Sequence, residues 1–231
     1  NTGLDVAFAA LNEGLHVIFV VPEKFSEEKQ ILMKALGADI IHTKREDGML
    51  GAAAKAQELL SEIKDSISLQ QFKNMSNPKA HYETTGPEIY QELDGKIDYL
   101  VAGAGSGGTY SGVVKFLKEQ NPNIKGILAD PVGSTMGGGE HADYDIEGIG
   151  NDFIADTMDM SLVDKVIKIN DSQSFDGARA LARHEGILGG SSTGAAFSAA
   201  LNLIYEHHVK GNIVFIAPDR GDRYFSKHLY A

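Results

Sequence analysis

The chain has 231 residues, of which 42% are hydrophobic and 23% charged, enough for one or two domains with a buried core. Its formal net charge of −11 argues against binding to nucleic acids or anionic membranes, since both repel an acidic surface. The absence of cysteine excludes disulfide bonds and thiolate metal sites and fits a reducing compartment. We therefore expect a cytoplasmic protein that binds neither nucleic acid nor membrane.

Helices and strands are predicted to alternate over the first third of the chain. Apolar residues recur there at helical spacing or in short unbroken runs, with Gly14, Pro22 and Gly37 as breaks and Ser26 as a helix cap. The predicted elements are a helix over 4–11, a strand over 16–21, a helix over 26–36, a strand over 39–43 and a helix over 49–63. This alternation indicates a layered α/β lobe with a parallel sheet.

Residues 70–78 are polar and unfavourable for a helix, and we expect the chain to cross between two lobes there. Residues 1–74 then form a smaller N-terminal α/β lobe, and residues 75–231 form a larger C-terminal one. The long loop over 131–152 is expected to be functional or mobile.

The second lobe repeats the alternation of strands and helices. A helix over 79–93 contains Pro87, which can kink it, and Asp171 is predicted to cap a later helix. The remaining elements are strands over 97–101, 124–130, 163–169 and 212–217, helices around 113–118, over 171–184 and from 189–194 to about 207, and a final short helix after 221.

The most informative stretch is the glycine-rich turn over 102–109, between a predicted strand and a helix. Glycines let the backbone approach a ligand closely and adopt positive φ. The first N–H groups of a helix have no partner inside it, and the helix dipole adds positive charge at that end. Together with the hydroxyls of Ser106 and Thr109, this turn predicts a phosphate site.

The same turn also matches a dinucleotide fingerprint. Gly103, Gly105 and Gly108 satisfy G-x-G-x-x-G, and Asp130 ends the next strand, where a ribose-binding acid is expected. A nicotinamide-dependent dehydrogenase is therefore a second hypothesis, although a complete α/β lobe precedes the fingerprint here. A non-enzymatic partner-binding protein is a third.

Polar, glycine-bearing junctions also stand at residues 1–3 and 190–194, each at a predicted helix start. Ligands of open parallel sheets bind outside the carboxyl ends of the strands, so such junctions converge on one cleft. A cleft of this kind suits a ligand that carries both a phosphate and a carboxylate.

Six segments in order resemble one enzyme family. Residues 105–109, Gly-Ser-Gly-Gly-Thr, resemble its phosphate loop, which is usually Gly-Thr-Gly-Gly-Thr. The other segments are residues 1–3, 33–38, 70–72 with 77–78 and 84–89, 147–150 and 187–194. The chain thus resembles the cysteine synthase and cystathionine β-synthase family of fold-type-II pyridoxal-phosphate enzymes. The resemblance implies a tryptophan synthase β-like fold, in which each of two lobes has a mainly parallel sheet flanked by helices.

The resemblance also assigns site residues. It implies that Asn1 binds the 3′-oxygen of pyridoxal 5′-phosphate, that Ser192 meets the pyridine nitrogen and that Gly148 leaves room near the reacting carbon. Thr2 and Gln71 would hold the substrate α-carboxylate. The cofactor phosphate would be held by Gly105, Ser106, Gly107, Gly108 and Thr109. A hydroxyl at Ser192 is expected to leave the ring nitrogen largely unprotonated. Asp219 is expected either to polarise the ring side through water or to cap the final short helix, and capping is favoured.

The implied reaction is β-replacement on O-acetylserine or serine by a sulfur nucleophile, in a homodimer. Residues 85–89 and 221–224 look more like cysteine synthases, which use sulfide to make L-cysteine, and this activity is favoured. Residues 147–154 look more like cystathionine β-synthases, which use homocysteine, and that activity is the alternative.

One departure from the family pattern concerns the Schiff-base lysine. In the family it lies upstream of the Asn-Thr-Gly loop, and no lysine of this chain stands in the matching place. We therefore assign no catalytic residue and expect the chain to be a fragment that lacks its N-terminal segment and is inactive alone.

Overall fold

The computed structural model describes residues 2–23 and 25–230, which divide into two compact units. The first unit takes its described residues from 1–69 and 222–229, and the second consists of residues 70–221 and Tyr230. The boundary between the two lobes that the sequence predicts, between residues 74 and 75, stays a prediction.

The first unit alternates helices and strands as the sequence predicts. Its elements are α1 (Thr2–Ala9), β1 (Ile18–Pro22), α2 (Glu27–Ala35), β2 (Asp39–Thr43) and α3 (Gly48–Glu62). The two strands pair in parallel, with Ile18 opposite Asp39. Gly14 does not end α1, which stops at Ala9, and Ser26 precedes α2 without a side-chain cap hydrogen bond.

Residues 221–227 form two 3-10 turns, Gly221–Arg223 and Phe225–Lys227, where a final short helix was predicted. This segment is bonded to α2. The buried Lys29 donates to the Tyr224 hydroxyl over 2.8 Å, and the Ser226 N–H donates to the Glu28 carboxylate over 2.7 Å.

The second unit is built on a four-stranded parallel sheet. Its strands are β3 (Tyr99–Gly103), β4 (Lys125–Pro131), β5 (Lys165–Ile169) and β6 (Ile213–Phe215), and their order across the sheet is β5-β4-β3-β6. Its helices are α4 (Ser76–Glu83), α5 (Thr85–Glu92), α6 (Gly108–Gln120), α7 (Asp171–Glu185) and α8 (Ser191–Tyr205).

Apolar side chains cover both faces of this sheet. Successive residues of a strand point to opposite faces, so Leu100 packs in the cluster that includes Leu117 of α6, while Val101 packs in the cluster that includes Leu203 of α8. All four side chains are almost fully buried. The predicted α/β class, with parallel sheets flanked by helices, is therefore confirmed.

The single helix predicted over 79–93 is wrong, because the structure has two helices there. The chain breaks at Thr84, whose φ of −123° and ψ of −71° are not helical. Pro87 lies in the first turn of α5, where a missing N–H leaves no helical hydrogen bond unmade.

Asp171 does not cap α7. The cap is Asn170, whose side chain accepts from the Gln173 N–H over 2.9 Å while the Gln173 side chain accepts from the Asn170 N–H over 3.0 Å. The Asp171 carboxylate instead accepts from the N–H groups of Asp145 and Ile146, over 2.9 and 3.1 Å. It therefore fixes the end of the long 131–152 loop to α7.

Asp164, just before β5, should stabilise the second unit in a pH-dependent way. It accepts from the Gly126 N–H over 2.8 Å and pairs with Lys118 at 2.7 Å and Lys125 at 3.3 Å. Burial acts to raise the pKa of Asp164, but the hydrogen bonds from Lys118, Gly126 and Lys125 outweigh it, and the net pKa is lowered. We expect Asp164→Asn to lower the free energy of unfolding by about 1 kcal/mol at pH 7.

The folded-state pKa of Asp164 lies below its unfolded value, so its stabilisation is present above the unfolded value and is lost as the pH falls through the folded one. Urea unfolding at pH 7 and in acid should show the difference between wild type and variant shrinking in acid. The control is Asp176→Asn, at an exposed helical ion pair with Arg179. An equal loss in the control at pH 7 would contradict this role of Asp164.

Candidate cofactor site

Three loops of the second unit leave the same edge of its sheet. They follow β3, β4 and β6, and because all strands are parallel, their carboxyl ends meet at that edge. The glycine-rich turn follows β3, the long loop with Gly148 follows β4, and Asp219 follows β6.

The glycine-rich turn is shaped by close backbone contacts. Gly107 has a φ of +84° and precedes α6 without a side-chain cap. A Cβ added at Gly105 would lie 2.5 Å from the carbonyl oxygen of Gly148, and one at Gly107 would overlap Met158. The first N–H groups of α6 therefore face this edge with no bulky side chain at the turn.

The two hydroxyls of the turn are held by α4 and α5. Asn77 donates to the Ser106 hydroxyl oxygen over 2.8 Å. His81 lies 3.0 Å from the Thr109 hydroxyl through Nε2 and 3.0 Å from the Thr85 hydroxyl through Nδ1. Burial lowers the pKa of His81, so near neutral pH its ring has one donor and one acceptor nitrogen.

Gln71 lies beside the turn in the second unit. Its carbonyl accepts from the Asn77 side chain over 3.0 Å. The Thr157 hydroxyl lies 2.6 Å from the Ser106 carbonyl and 3.5 Å from that of Gln71. The structure thus brings the backbone of Gln71 next to the predicted phosphate loop.

The loop that contains Gly148 is bonded to the glycine-rich turn. Gly148 has a φ of +86°, and shortly after it the Gly150 N–H donates to the carbonyl of Ala104 over 2.8 Å. The Asn151 amide donates to the carbonyl of Gly105 over 2.5 Å. The 147–151 segment therefore forms one wall against the turn.

Ser192 stands in the first turn of α8, and its neighbour Ser191 is joined to the same wall. The Glu147 N–H donates to the hydroxyl oxygen of Ser191 over 3.0 Å. Ser192 itself is only 2% exposed. Hydrogen bonds thus connect the 147–151 segment to the glycine-rich turn on one side and to the start of α8 on the other.

Asp219 is bonded to the start of α8. Its carboxylate accepts from the Gly190 N–H over 2.9 Å, the Ser192 hydroxyl over 2.8 Å and the Thr193 hydroxyl over 2.5 Å. Contacts made from 26 to 29 residues further along the chain cannot be read from local sequence. Capping of the final short helix by Asp219 stays a prediction.

The structure does not test the two remaining predicted site residues. Thr2 begins α1 in the first unit and is exposed, and Asn1 lies outside the described residues. The roles of Asn1 and Thr2 stay predictions.

Sequence reasoning missed four side chains that hold the turn: Asn77, His81, Asn151 and Thr157. Asn77 and Asn151 lie within segments that resemble the family, so their position was visible but not their role. Nothing in the sequence marks His81 or Thr157, because each reaches the turn across 28 or more residues.

Asp130, the acid of the dinucleotide fingerprint, is already paired inside the protein. It is 1% exposed and accepts from Lys168 Nζ over 2.5 Å and from the Gly137 N–H over 3.0 Å. Lys168 also donates to the Ser134 carbonyl over 2.7 Å. These contacts argue against a ribose-binding role for Asp130.

Metal chemistry and membrane insertion have no visible basis in the part of the chain that the structure describes. Residues 2–23 and 25–230 contain no group of three or more His, Asp or Glu side chains placed to hold a metal ion. No helix among them combines the length and the apolar character needed to cross a membrane.

Comparison with known proteins decides the family. A family model described as "Pyridoxal-phosphate dependent enzyme" matches residues 1–219. The chain belongs to this family. The match confirms the resemblance seen in the six sequence segments, and together with the pairing of Asp130 it argues against the dehydrogenase hypothesis.

Relatives within the pyridoxal-phosphate dependent enzymes cover the whole chain. An O-acetylserine dependent cystathionine beta-synthase of Bacillus subtilis is 50% identical over 100% of this chain and 75% of its own length. A cysteine synthase of Helicobacter pylori is 46% identical over 100% of this chain and 76% of its own. The crystal structure of an O-acetylserine dependent cystathionine beta-synthase from Helicobacter pylori is 44% identical, has a TM-score of 0.94 and covers 100% of this chain and 75% of that one.

The second unit fits the ester phosphate of a pyridoxal cofactor. The turn is free of Cβ atoms at Gly105, Gly107 and Gly108, where side chains would meet neighbouring atoms, and it carries two hydroxyls at a helix start. Backbone N–H and hydroxyl donors of this kind bind a dianionic phosphate.

The shape of the turn predicts a difference between two glycines that share one φ value. Gly107 and Gly138 both have a φ of +84°, so alanine at either position costs about 1–2 kcal/mol of backbone strain. Only at Gly107 would the new Cβ also overlap Met158, whereas nothing lies within 4 Å of it at Gly138. In urea unfolding, Gly107→Ala should lose clearly more stability than Gly138→Ala, and equal losses would refute this packing.

Proposed function

We propose that this chain binds pyridoxal 5′-phosphate through its second unit and serves β-replacement on O-acetylserine, with sulfide as the nucleophile and L-cysteine as the product. The main support for the proposal is a set of hydrogen bonds that connects the 147–151 segment both to the glycine-rich turn and to the start of α8. It sets the glycine-rich turn and the buried hydroxyl of Ser192 on one sheet edge.

Each residue of the proposed site has its own role. When bound, pyridoxal phosphate supplies an electron sink for negative charge at the α-carbon of the amino acid. The phosphate is held by the N–H groups and hydroxyls of residues 105–109, and Ser192 meets the ring nitrogen. Gly148 leaves space because it has no side chain, while Gln71 and Thr2 bind the substrate carboxylate. Asn1 binds the 3′-oxygen, an assignment that rests on the resemblance alone.

The identity of the sulfur nucleophile is the most specific part of the proposal. Sulfide is supported by residues 85–89 and 221–224, which resemble cysteine synthases, and by the cysteine synthase of Helicobacter pylori. Homocysteine is the second candidate, favoured by residues 147–154 and by the Bacillus subtilis relative, named a cystathionine beta-synthase. O-Acetylserine is preferred over serine as the donor because that relative is named O-acetylserine dependent.

We also propose that the protein acts in the cytoplasm as a homodimer. The absence of cysteine and the net charge of −11 fit the first statement, and the resemblance supports the second. Sedimentation of the full-length protein measures the assembly, and a monomer at micromolar concentration would refute the dimer.

Product analysis tests the activity. The full-length protein, loaded with pyridoxal phosphate, is given O-acetylserine or serine together with sulfide or homocysteine. We expect cysteine from O-acetylserine and sulfide with the highest kcat/KM. A higher kcat/KM for cystathionine formation would select the second candidate, and no β-replacement with any pair would reject both.

Phosphate binding can be measured without the reaction. The probe is 4-deoxypyridoxine 5′-phosphate, which has no aldehyde and so forms no bond with lysine. By titration calorimetry, Thr109→Val should weaken binding about tenfold, the size expected for one lost hydrogen bond to a charged group. Thr84→Val is the control because the Thr84 hydroxyl, just after α4, donates to the carbonyl of Ala80 in that helix. Equal weakening in both variants would contradict the assignment of Thr109.

A further inference from the structure

The hydroxyl of Ser106 in the glycine-rich turn accepts hydrogen bonds from the protein on its oxygen. Asn77 Nδ2 donates to that oxygen over 2.8 Å, and the Gly108 N–H reaches it over a longer 3.4 Å. A serine hydroxyl has two acceptor lone pairs and one proton. No side chain or carbonyl within residues 2–23 and 25–230 accepts this proton. The proton of Ser106 is therefore left for a ligand.

The direction of the bond between Asn77 and Ser106 is decided by Gln71. Asn77 Nδ2 also donates to the backbone carbonyl of Gln71 over 3.0 Å. A carbonyl can only accept, so the amide group of Asn77 must turn its nitrogen, and not its oxygen, to both partners. The reversed amide would bring two acceptor oxygens together with no proton between them. Ser106 therefore accepts from Asn77 and cannot donate to it.

Gly108 makes room for the Asn77 amide. A Cβ added at Gly108 would overlap this amide, so the first residue of α6 must lack a side chain for Asn77 to reach the turn. Asn77 stands in the first turn of α4. The backbone of Ser106 is also held, because the Thr157 hydroxyl donates to its carbonyl over 2.6 Å. The oxygen of Ser106 is thus placed by α4, by α6 and by the segment that contains Thr157.

We propose that Asn77 is a positioning residue for the cofactor phosphate, because its amide occupies the oxygen of Ser106 and so directs the Ser106 proton to the ligand. This inference rests on the proposed function. A phosphate oxygen binds donors and repels lone pairs, so a hydroxyl that has only its proton left to offer matches it. Since the direction is set before the ligand arrives, less rotational freedom is lost on binding.

A double-mutant comparison on the full-length protein measures this direction. The probe is again 4-deoxypyridoxine 5′-phosphate, and titration calorimetry gives its Kd. In the wild type, Ser106→Ala removes a donor to a charged group and should weaken binding about tenfold. In Asn77→Asp, the new carboxylate accepts the Ser106 proton, so the donor is already lost. Adding Ser106→Ala there should weaken binding by less than about twofold, while the repulsion between carboxylate and phosphate cancels from the comparison.

Asn74→Asp is the matched control for the added charge. Asn74 lies just before α4, and its side-chain oxygen accepts from the Ser76 N–H over 3.0 Å, which a carboxylate can also do. This variant leaves the bond between Asn77 and Ser106 in place. Ser106→Ala should therefore weaken binding about tenfold in the Asn74→Asp background, as in the wild type.

A purely structural Asn77 predicts a different result, namely that Ser106→Ala weakens binding by the same factor in the wild type and in Asn77→Asp. That result would overturn this inference and leave the proposed function intact, as would a wild-type Kd in Ser106→Ala alone. Should Asn77→Asp fail to fold, Asn77→Ala takes its place. The hydroxyl can then rotate, so Ser106→Ala should cost only about threefold, and the full wild-type factor would overturn the inference. Failure of the wild type to bind the probe would contradict the proposed function and this inference together.

Discussion

Close approach of backbone to backbone at the carboxyl edge of the four-stranded sheet is the constraint on which the site depends. The carbonyl oxygen of Gly148 lies only 2.5 Å from where a Cβ of Gly105 would be, and the Gly150 N–H donates to the carbonyl of Ala104. Only residues without side chains allow two loops to lie so close. The approach brings the loop after β4 against the glycine-rich turn that precedes α6, so the proposed phosphate site needs both loops to form.

Polar side chains then fix what the glycines allow. A turn of glycines is flexible in the unfolded chain, and ordering it costs more conformational entropy than ordering other residues. Asn77, Asn151 and Thr157 each bond to Ser106 or Gly105 and offset part of that cost. Because these partners come from α4 and from the loop after β4, the turn is held before any ligand arrives, which lowers the entropic penalty of binding.

The sequence predicted the parts of this molecule that depend on local pattern. The strand over 39–43 was placed to the residue, and the glycine-rich turn was found because its spacing has a physical reason. The prediction for Asp171 failed because of a tertiary contact. Aspartate at a helix start usually caps that helix, but the Asp171 carboxylate, like that of Asp219, bonds to a segment far away in the chain. Such contacts are decided by tertiary structure, which no local pattern encodes.

The difference between local pattern and tertiary contact also matters for the chemistry expected of Ser192. Ser192 was identified from the resemblance as the residue opposite the ring nitrogen, and on a hydroxyl alone the direction of its hydrogen bond is undetermined, since it can donate or accept. The direction follows from Asp219, which comes after β6 and accepts from the Ser192 hydroxyl over 2.8 Å while it also accepts from the Gly190 N–H. A contact between residues 27 apart in the chain thus decides a direction that the hydroxyl alone leaves open.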